Sequence, residues 1–346
     1  MYLSGVFLTR ALAHGLDVVK GGDVLIRRQT GLSGLPLGGV PPIDAAMNML
    51  PILFRSLGAA LLLVGGVAQA RTTAPATPAL WSVSDDDTTI YLFGTVHVMK
   101  PGIDWFQKDV KRAFDRSDQL VLEIIEPDDP NVMGTTMGTM ALAKDGVKLS
   151  DRLTPDARVK YQAAMDANGL PWRTFDMFNP WMSGMALSVA PLERLGYKND
   201  LGAEKILRSA AQAAGKKVDA LETVEQQVGF FASLPMEQQV EFLNATVDGL
   251  PEMEKEFGDL LRYWQAGQPD RLAKSMNESL ETTPQLAQVL LTNRNAHWAQ
   301  WIKARLDQPG TVFVAVGAGH LAGKGSVQDQ LQKLGLRARR LKDVKP

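Results

Sequence analysis

The sequence contains no cysteine, and this absence removes several kinds of chemistry at once. Disulfide bonds, thiolate nucleophiles and cysteine-ligated zinc or iron–sulfur sites are all excluded. Any metal site must therefore be built from His, Asp, Glu or water ligands. Histidine is also scarce, with only four in the chain, so each histidine in a recurring pattern is a candidate functional residue.

The sequence also lacks an excess of charge of either sign. Its 37 basic and 38 acidic residues give a formal net charge of −1. A near-neutral chain has no basic field to attract a polyanion, so we do not expect nucleic acid as a partner. With 346 residues, the chain is long enough for a large core.

The first seventy residues differ in composition from the rest. Residues 47–70 contain one basic residue (Arg55), an apolar stretch (Leu57–Val67) and an Ala-Gln-Ala sequence that ends at Ala70. This order is typical of a secretory signal peptide and predicts cleavage after Ala70. Since the apolar stretch is about half the length of a transmembrane helix, an uncleaved membrane anchor is the alternative.

The predicted signal begins at Met47 or Met49 rather than at the first residue. We interpret residues 1–46 as the product of a misplaced start site, with a genuine disordered leader as the alternative. Residues 71–79 (RTTAPATPA) predict a mobile tether. The mature protein is expected in the periplasm or outside the cell, with a single domain at 80–343 and membrane contact only through an uncleaved signal.

Hydrophobic patterns predict an α/β fold. Leu80–Val83 and Thr89–Gly94 predict a β-hairpin, and an amphipathic helix is expected over Ile103–Phe114. The apolar run Gln119–Ile125 predicts a strand buried on both faces, which completes a βαβ unit. These elements form the N-terminal half of the expected sheet.

Residues 131–305 predict a large helical insert, interrupted by a brief strand in KVDAL (Lys217–Leu221). The chain then returns to an α/β pattern, with strands expected at Thr311–Val316 and Leu336–Leu341 around a helix at Ser326–Leu334. We therefore expect a central mixed sheet built from both ends of the chain. Ligands of open α/β sheets bind beyond the carboxyl ends of the strands.

Two strands of that sheet end in the same Gly-x-x-His pattern: Gly94/His97 and Gly317/His320. A glycine at a strand end allows a sharp turn with positive φ or a close backbone approach. Two such loops on neighbouring strands would aim two imidazoles at one point, as a metal site or an acid–base pair requires. Two hydrogen-bonded loop histidines are the alternative.

Glu123 is the polar residue within the apolar run VLEII. A carboxylate inside a buried strand is costly unless it is paired or bound to a cation. With His97 and His320 it completes a set that suits a divalent metal with open positions for water. A buried Glu paired with an arginine is the alternative.

Three further polar positions are candidates. Arg294 and Asn295 lie on an otherwise apolar and aromatic helix. Arg294 would stabilise an oxyanion or pair with Glu123. Glu222 follows the brief strand, as a supporting site residue or as an ordinary negative charge at a helix start. His297 is interpreted as a packed helix residue.

With these residues, the chain resembles the TraB/GumN family, which is related to the Tiki metalloproteases. Six segments in the family's order carry the resemblance: LWSV, YLFGTVHV, VLEI, ALETVEQQ, the RN of TNRN, and FVAVGAGHLAGKGSVQDQLQKLG. One position departs, because Gly202-Ala203-Glu204 stands where family members often have Gly-hydrophobic-Asp. The resemblance implies an α/β fold with a helical insert and a manganese- or cobalt-type peptidase.

The resulting hypothesis is a metal-dependent hydrolase that cleaves a peptide or protein substrate. His97 and His320 would bind the metal, and Glu123 would be a ligand or the base. Arg294 would stabilise the oxyanion, and Asn295 would orient the substrate or a ligand. The alternative is a non-catalytic extracytoplasmic protein that binds a peptide or small ligand in the same pocket.

Overall fold

A computed structural model describes residues 76–280 and 284–342. The expected leader (1–46), signal peptide (47–70) and first part of the tether (71–75) lie outside the described residues. Within the described residues, no helix has both the length and the apolar character needed to cross a membrane.

Among the described residues, six strands form one mixed sheet in the order β4-β3-β5-β2-β1-β6. Strands β2, β3, β4 and β5 run parallel, and β1 is antiparallel to both β2 and β6. The α/β class and the mixed sheet are thus confirmed. The strands are β1 (Leu80–Ser84), β2 (Thr88–Thr95), β3 (Gln119–Leu122), β4 (Lys217–Ala220), β5 (Gly310–Gly317) and β6 (Arg339–Leu341).

The predicted hairpin is present as β1 and β2. In its turn, the Asp85 carboxylate accepts a hydrogen bond from the backbone N of Thr88 at 2.9 Å. C-terminal strand β5 lies between β2 and β3, so both ends of the chain form the centre of the sheet. One strand comes from neither end: β4 belongs to the helical insert and pairs with β3 at the edge.

Helices surround this sheet and form most of the insert. The thirteen α-helical segments among the described residues are α1 (Lys108–Arg116), α2 (Pro130–Ala141), α3 (Leu149–Arg152), α4 (Pro155–Ala167), α5 (Pro180–Arg194), α6 (Ala203–Ala213), α7 (Val224–Ala232), α8 (Met236–Gly249), α9 (Met253–Gln265), α10 (Pro269–Leu280), α11 (Pro284–Ala287), α12 (Asn293–Leu306) and α13 (Val327–Lys333). A π-helical segment, Gln288–Thr292, joins α11 to α12.

Helix α1 begins later than predicted, at Lys108 instead of Ile103. The apolar residues of the missing turn are used for packing instead. Trp105 is fully buried and stacks on Phe93 with ring centroids 5.3 Å apart. The helical spacing of 103–106 therefore reflects contact with the core rather than a helical backbone.

The end of the expected tether is also ordered by contacts. Ala76 is buried, and the backbone N of Thr77 donates to the carbonyl of Gln265 at 2.7 Å. Residues 76 and 77 are thus held against the end of α9, contrary to the expected mobility of this segment. The Thr/Pro/Ala composition does not show this, because the contact involves backbone atoms and a distant helix.

Both faces of the sheet are covered by apolar side chains. One cluster includes Phe93, Trp105 and Phe313, and the opposite cluster includes Val121 and Val314. A separate cluster lies within the insert, so the insert has its own core. The sheet is thereby covered on both sides, which leaves its strand ends as the place for polar chemistry.

Candidate functional site

The carboxyl ends of three parallel strands bring the predicted site residues to one edge of the sheet. Thr95, the last residue of β2, pairs with Gly317 at the end of β5. His97 and His320 follow these neighbouring ends by two and three residues. Strand β3 ends at Leu122, so Glu123 lies just beyond the strand rather than inside it as predicted.

The two motif glycines have roles other than the predicted positive-φ turn. Gly94 is absent from the glycines with positive φ, and Gly317 has a φ of −49°. At Gly94 a Cβ atom would lie 3.0 Å from the Cα of Ala318, so glycine permits a close approach of the two loops. The backbone N of Gly317 donates to Oε2 of Glu123 at 3.0 Å.

A buried ion-pair network connects the strand ends to α12. Nη2 of Arg294 donates to Oε1 of Glu123 and, at 2.7 Å, to Oε2 of Glu222. Nε of Arg294 donates to Oε1 of Glu222 at 2.8 Å. The side chains of Arg294, Glu123 and Glu222 are only 4%, 7% and 8% exposed. One guanidinium therefore joins both carboxylates.

Arg294 has no remaining N–H for a substrate oxyanion. Its Nη1 faces the carbonyl of Leu290 at 3.0 Å and Nε2 of His320 at 3.3 Å. Together with the three bonds to the carboxylates, these contacts use all five guanidinium donors. The arrangement matches the alternative interpretation of a buried Glu paired with an arginine, and it does not provide the predicted oxyanion contact.

Glu123 and Glu222 each have further donors. Nε2 of Gln227 donates to Oε1 of Glu123 at 2.6 Å, and Nε1 of Trp298 donates to Oε1 of Glu222 at 3.0 Å. Glu222 precedes Thr223, the N-cap of α7, but its carboxylate points to Arg294 and is more than a helix-start charge. Buried carboxylates with this many donors are held in one orientation.

Asn295 fixes the tautomer of His320. Nδ2 of Asn295 donates to the carbonyl of Gly325 at 2.8 Å, so its Oδ1 is the atom 2.6 Å from Nδ1 of His320. Since an amide oxygen only accepts, Nδ1 carries the proton and Nε2 carries the lone pair that faces Arg294. Asn295 thus orients the ring of His320.

The charges of this network separate the pKa values of its members. Burial and the neighbouring Arg294 lower the pKa of His320 to about 3, so this ring is neutral at ordinary pH. Burial alone would raise the pKa of Glu123, but the charge of Arg294 lowers it to about 2. Burial raises the pKa of Glu222, against the opposing effect of Arg294.

His97 forms a different pair. Its Nδ1 lies 2.8 Å from Oε1 of Glu204 on α6, and it contacts none of the other predicted site residues through a hydrogen bond. At this distance a protonated Nδ1 and the carboxylate form an ion pair, but the contact lies outside ordinary hydrogen-bond geometry, since Oε1 of Glu204 has no hydrogen-bond partner among the described residues. Nε2 of His97 is buried and has no hydrogen-bond partner among the described residues.

Gly202 and Ala203 hold Glu204 beside the His97 loop. A Cβ atom at Gly202 would lie 2.3 Å from the carbonyl oxygen of His97, so no other residue fits there without movement. The backbone N of Ala203 donates to the carbonyl of Val96 at 3.0 Å. The Gly-Ala-Glu sequence, noted above only as a departure from the family pattern, is therefore the element that supplies the carboxylate partner of His97.

Carboxylates control the pKa of His97. Burial would lower this pKa, but the charge of Glu204 in close contact with Nδ1, together with the charges of Glu123 and Glu126, raises it to about 9. The same pairing lowers the pKa of Glu204 although burial opposes it. His97 and His320 thus have opposite protonation states at neutral pH.

The three predicted metal ligands are not arranged around a common position that a metal ion could occupy. Within residues 76–280 and 284–342, no three His, Asp or Glu side chains are grouped closely enough to hold an ion. Nε2 of His320 faces a guanidinium, and each oxygen of Glu123 already accepts from a protein donor. Of the three predicted donors, only Nε2 of His97 is unoccupied.

Two cavities border the ends of β3 and β4. The smaller, about 240 Å³, is lined by Leu122, Glu126, Glu204 and Arg208 and so opens beside the His97–Glu204 pair. The larger, about 600 Å³, lies on the other side of the ion-pair network, with Glu222 and Arg294 in its wall.

Three residues that contact the candidate site residues were not predicted as part of the site: Glu204, Gln227 and Trp298. Glu204 belongs to a Gly-x-Glu sequence at the start of a helix, which was visible as a pattern without a known partner. Gln227 and Trp298 lie on amphipathic helices, where a polar amide and an indole N–H do not reveal which buried carboxylate they contact. Long-range contacts of this kind need the tertiary structure.

Comparisons with known proteins agree with this architecture. The model of the TraB/PrgY/gumN family matches residues 79–340. The uncharacterized protein YbaP of Escherichia coli strain K12 is 22% identical over 242 residues, which cover 70% of this chain and 87% of YbaP. An uncharacterized protein of Treponema pallidum strain Nichols is 21% identical over 266 residues, or 73% of this chain and 80% of that protein. No solved structure shows a significant match. The chain belongs to the TraB/PrgY/gumN family.

Proposed function

We propose that this protein is a hydrolase, and within that class a peptidase, that acts outside the cytoplasm. The observation that carries the proposal is the state of His97: Nδ1 is anchored by Glu204 at 2.8 Å, while Nε2 has no partner among the described residues. An imidazole held by a carboxylate on one side and without a protein partner on the other is typical of a catalytic acid–base residue, and a substrate would have to reach the buried Nε2 past Glu204, which lines the neighbouring cavity.

Hydrolysis of a peptide bond adds the oxygen of water to the carbonyl carbon and a proton to the leaving amine. His97 would start protonated, deliver the proton on Nε2 to the leaving amine, and take up the proton that the attacking water releases, so that the ring returns to its starting state. Glu204 would keep the ring oriented and stabilise its positive charge. The cavity beside this pair, lined by Glu126, Glu204 and Arg208, would receive the reacting amide.

The network around Arg294 would support this site without taking part in the reaction. Its guanidinium donors are all engaged, and both nitrogens of His320 have partners. It would therefore fix the ends of β3 and β5, and β5 is the parallel neighbour of β2, the strand that His97 follows. Preorganised supports of this kind keep a reacting group within a fraction of an ångström of its working position.

The manganese or cobalt ion stays a prediction that rests on the family resemblance. The three predicted ligands do not form a ready site, and His97 is the residue through which an ion would have to bind. Location outside the cytoplasm likewise rests on the signal-like sequence of residues 47–70.

A peptide library incubated with purified protein of residues 71–346 tests the proposal. We expect cleavage by the unmodified protein, and a loss of at least about 100-fold in His97→Gln and Glu204→Gln, since general acid–base groups contribute about 10²–10⁴-fold. Glu241→Gln, an exposed carboxylate on α8, is the matched control and should retain full activity. Parallel reactions with a chelator, or with added manganese or cobalt, test the metal.

A non-catalytic binding protein is the second candidate, and one observation favours it. Every donor of Arg294 and both oxygens of Glu123 are already paired, so this part of the site is saturated before any substrate arrives. A binder that uses the same pocket, with the histidines as hydrogen-bonding groups, predicts no cleavage under any metal condition and weaker ligand binding in His97→Gln.

A further inference from the structure

A large aromatic cavity lies between α7 and α12 and has no role in the chemistry proposed above. Its volume is about 600 Å³, within the range of about 300–1,000 Å³ that is typical of small-ligand sites. Phe230, Val289, Trp298 and Trp301 provide its apolar surface. A cavity with these walls favours an apolar or aromatic group.

The charged side chains in the wall of the cavity already have interaction partners within the protein. Arg294 lies over the rings of Phe230 and Trp298, at 5.3 Å and 4.9 Å from their centroids, and is also bonded to Glu222. A charged ligand group would find no unpaired partner in Arg294 or Glu222 and would lose its hydration, and the other titratable residue of the lining, His297, is exposed to solvent. The cavity therefore selects against charged side chains.

Two amide side chains that line the cavity can donate hydrogen bonds from their NH₂ groups. Oε1 of Gln226 accepts from the backbone N of Thr223 at 2.8 Å, and Oδ1 of Asn293 accepts from Nε2 of Gln288. Because one bond to each oxygen fixes the assignment of the amide, both lining residues keep an NH₂ group that can donate to a ligand. The matching group is a carbonyl oxygen, such as that of a peptide backbone.

We propose that this cavity binds a large apolar or aromatic side chain of a peptide, with an adjacent backbone carbonyl accepting from Gln226 or Asn293. The inference rests on the proposed function in so far as it names the substrate class. The ligand and the ion-pair network meet at Arg294 and Glu222, which form the wall between the cavity and Glu123.

Binding of uncleavable probes to the protein of residues 71–346 tests the inference directly. The probes are N-acetyl amides of phenylalanine, leucine, glycine and lysine, measured by ligand-observed NMR. We expect the phenylalanine and leucine probes to bind at least tenfold more tightly than the glycine and lysine probes. Equal affinity across the four probes, or preference for lysine, overturns the inference.

Variants locate the bound probe. Trp301→Ala removes an aromatic wall outside the ion-pair network and should weaken binding of the phenylalanine probe at least fivefold. Trp172→Ala is the matched control, since it removes another half-buried tryptophan that does not line the cavity, and its affinity should stay within twofold. Equal weakening in both variants overturns the location. If Trp301→Ala fails to fold, the probe series on the unmodified protein still decides the ligand class.

The inference and the proposed function can fail separately. His97→Gln should bind the phenylalanine probe with unchanged affinity, because His97 does not line the cavity. Selective probe binding without any peptide cleavage refutes the hydrolase but supports the ligand class. Peptide cleavage with no preference for apolar or aromatic residues refutes the ligand class but supports the hydrolase.

Discussion

Replacing Arg294 with methionine should strongly destabilise the protein. The guanidinium is 4% exposed and pairs with Glu123 and Glu222, so its removal leaves two buried carboxylates without their common cation. Breaking a buried pair by removing one partner costs about 3–5 kcal/mol. We expect a loss of about 4 kcal/mol at pH 7, because Glu123 keeps its bonds from Gln227 and Gly317 while Glu222 loses all but that from Trp298.

Urea unfolding at several pH values provides the assay and its internal check. Without Arg294 both carboxyl pKa values rise, so the deficit of Arg294→Met should shrink as the pH falls and these groups become neutral. Arg262→Met is the matched control: its pair with Asp259 is 59% and 33% exposed, and its loss should leave the free energy of unfolding nearly unchanged. A deficit of Arg294→Met no larger than that of the control would refute the structural role given to this network.

Three further predictions concern the two histidine loops. Gly202→Ala forces a Cβ to within 2.3 Å of the carbonyl oxygen of His97, so urea unfolding should show a loss of about 2 kcal/mol or more, together with weakened activity. Gly94→Ala meets the Cα of Ala318 at 3.0 Å, where an overpacking cost of about 1–3 kcal/mol is expected in the same assay; unchanged stability in either variant contradicts the close packing described. The pKa of His97 is raised from 6.5 to about 9, so its pairing with Glu204 stabilises the fold fully below pH 6.5 and this contribution is lost as the pH rises through 9. Unfolding free energies from pH 6 to pH 10 should therefore fall by up to about 3 kcal/mol more in the unmodified protein than in Glu204→Gln; parallel curves would contradict the pairing.

Local patterns predicted the centre of the sheet because its strands are short-range features. The apolar runs that became β2, β3 and β5, and the acidic turn at Asp85, carry their structure in their own residues. The recurrence of Gly-x-x-His then placed both histidines at one edge. The positions of the candidate residues were thus accessible from the sequence.

Their partners were not accessible, because each partnership spans a large part of the chain. Glu123 was predicted to meet a metal or an arginine, and only the tertiary structure distinguishes the two for this residue: Arg294 reaches it across 171 positions. His97 was predicted to face His320, but its carboxylate partner comes from α6 in the insert. The motif glycines were expected to allow a positive-φ turn or a close backbone approach, and at Gly94 the structure has the close approach, to Ala318, without the positive φ.

Before the start of α1, the burial of apolar residues was predicted correctly but the helical backbone conformation was not. Ile103 and Phe106 do pack against the core at the predicted spacing. The intervening Trp105 is also buried, which a helical turn exposed on one face does not allow. Three close apolar residues facing the same core are better accommodated by an irregular segment.

The most direct test of the account is the rate of peptide cleavage by the unmodified protein of residues 71–346 compared with His97→Gln, both confirmed as folded by circular dichroism. The account predicts cleavage by the unmodified protein and a rate at least about 100-fold lower in the variant. Equal cleavage by both proteins would show that Nε2 of His97, unpartnered among the described residues, has no part in the reaction, and would contradict the account.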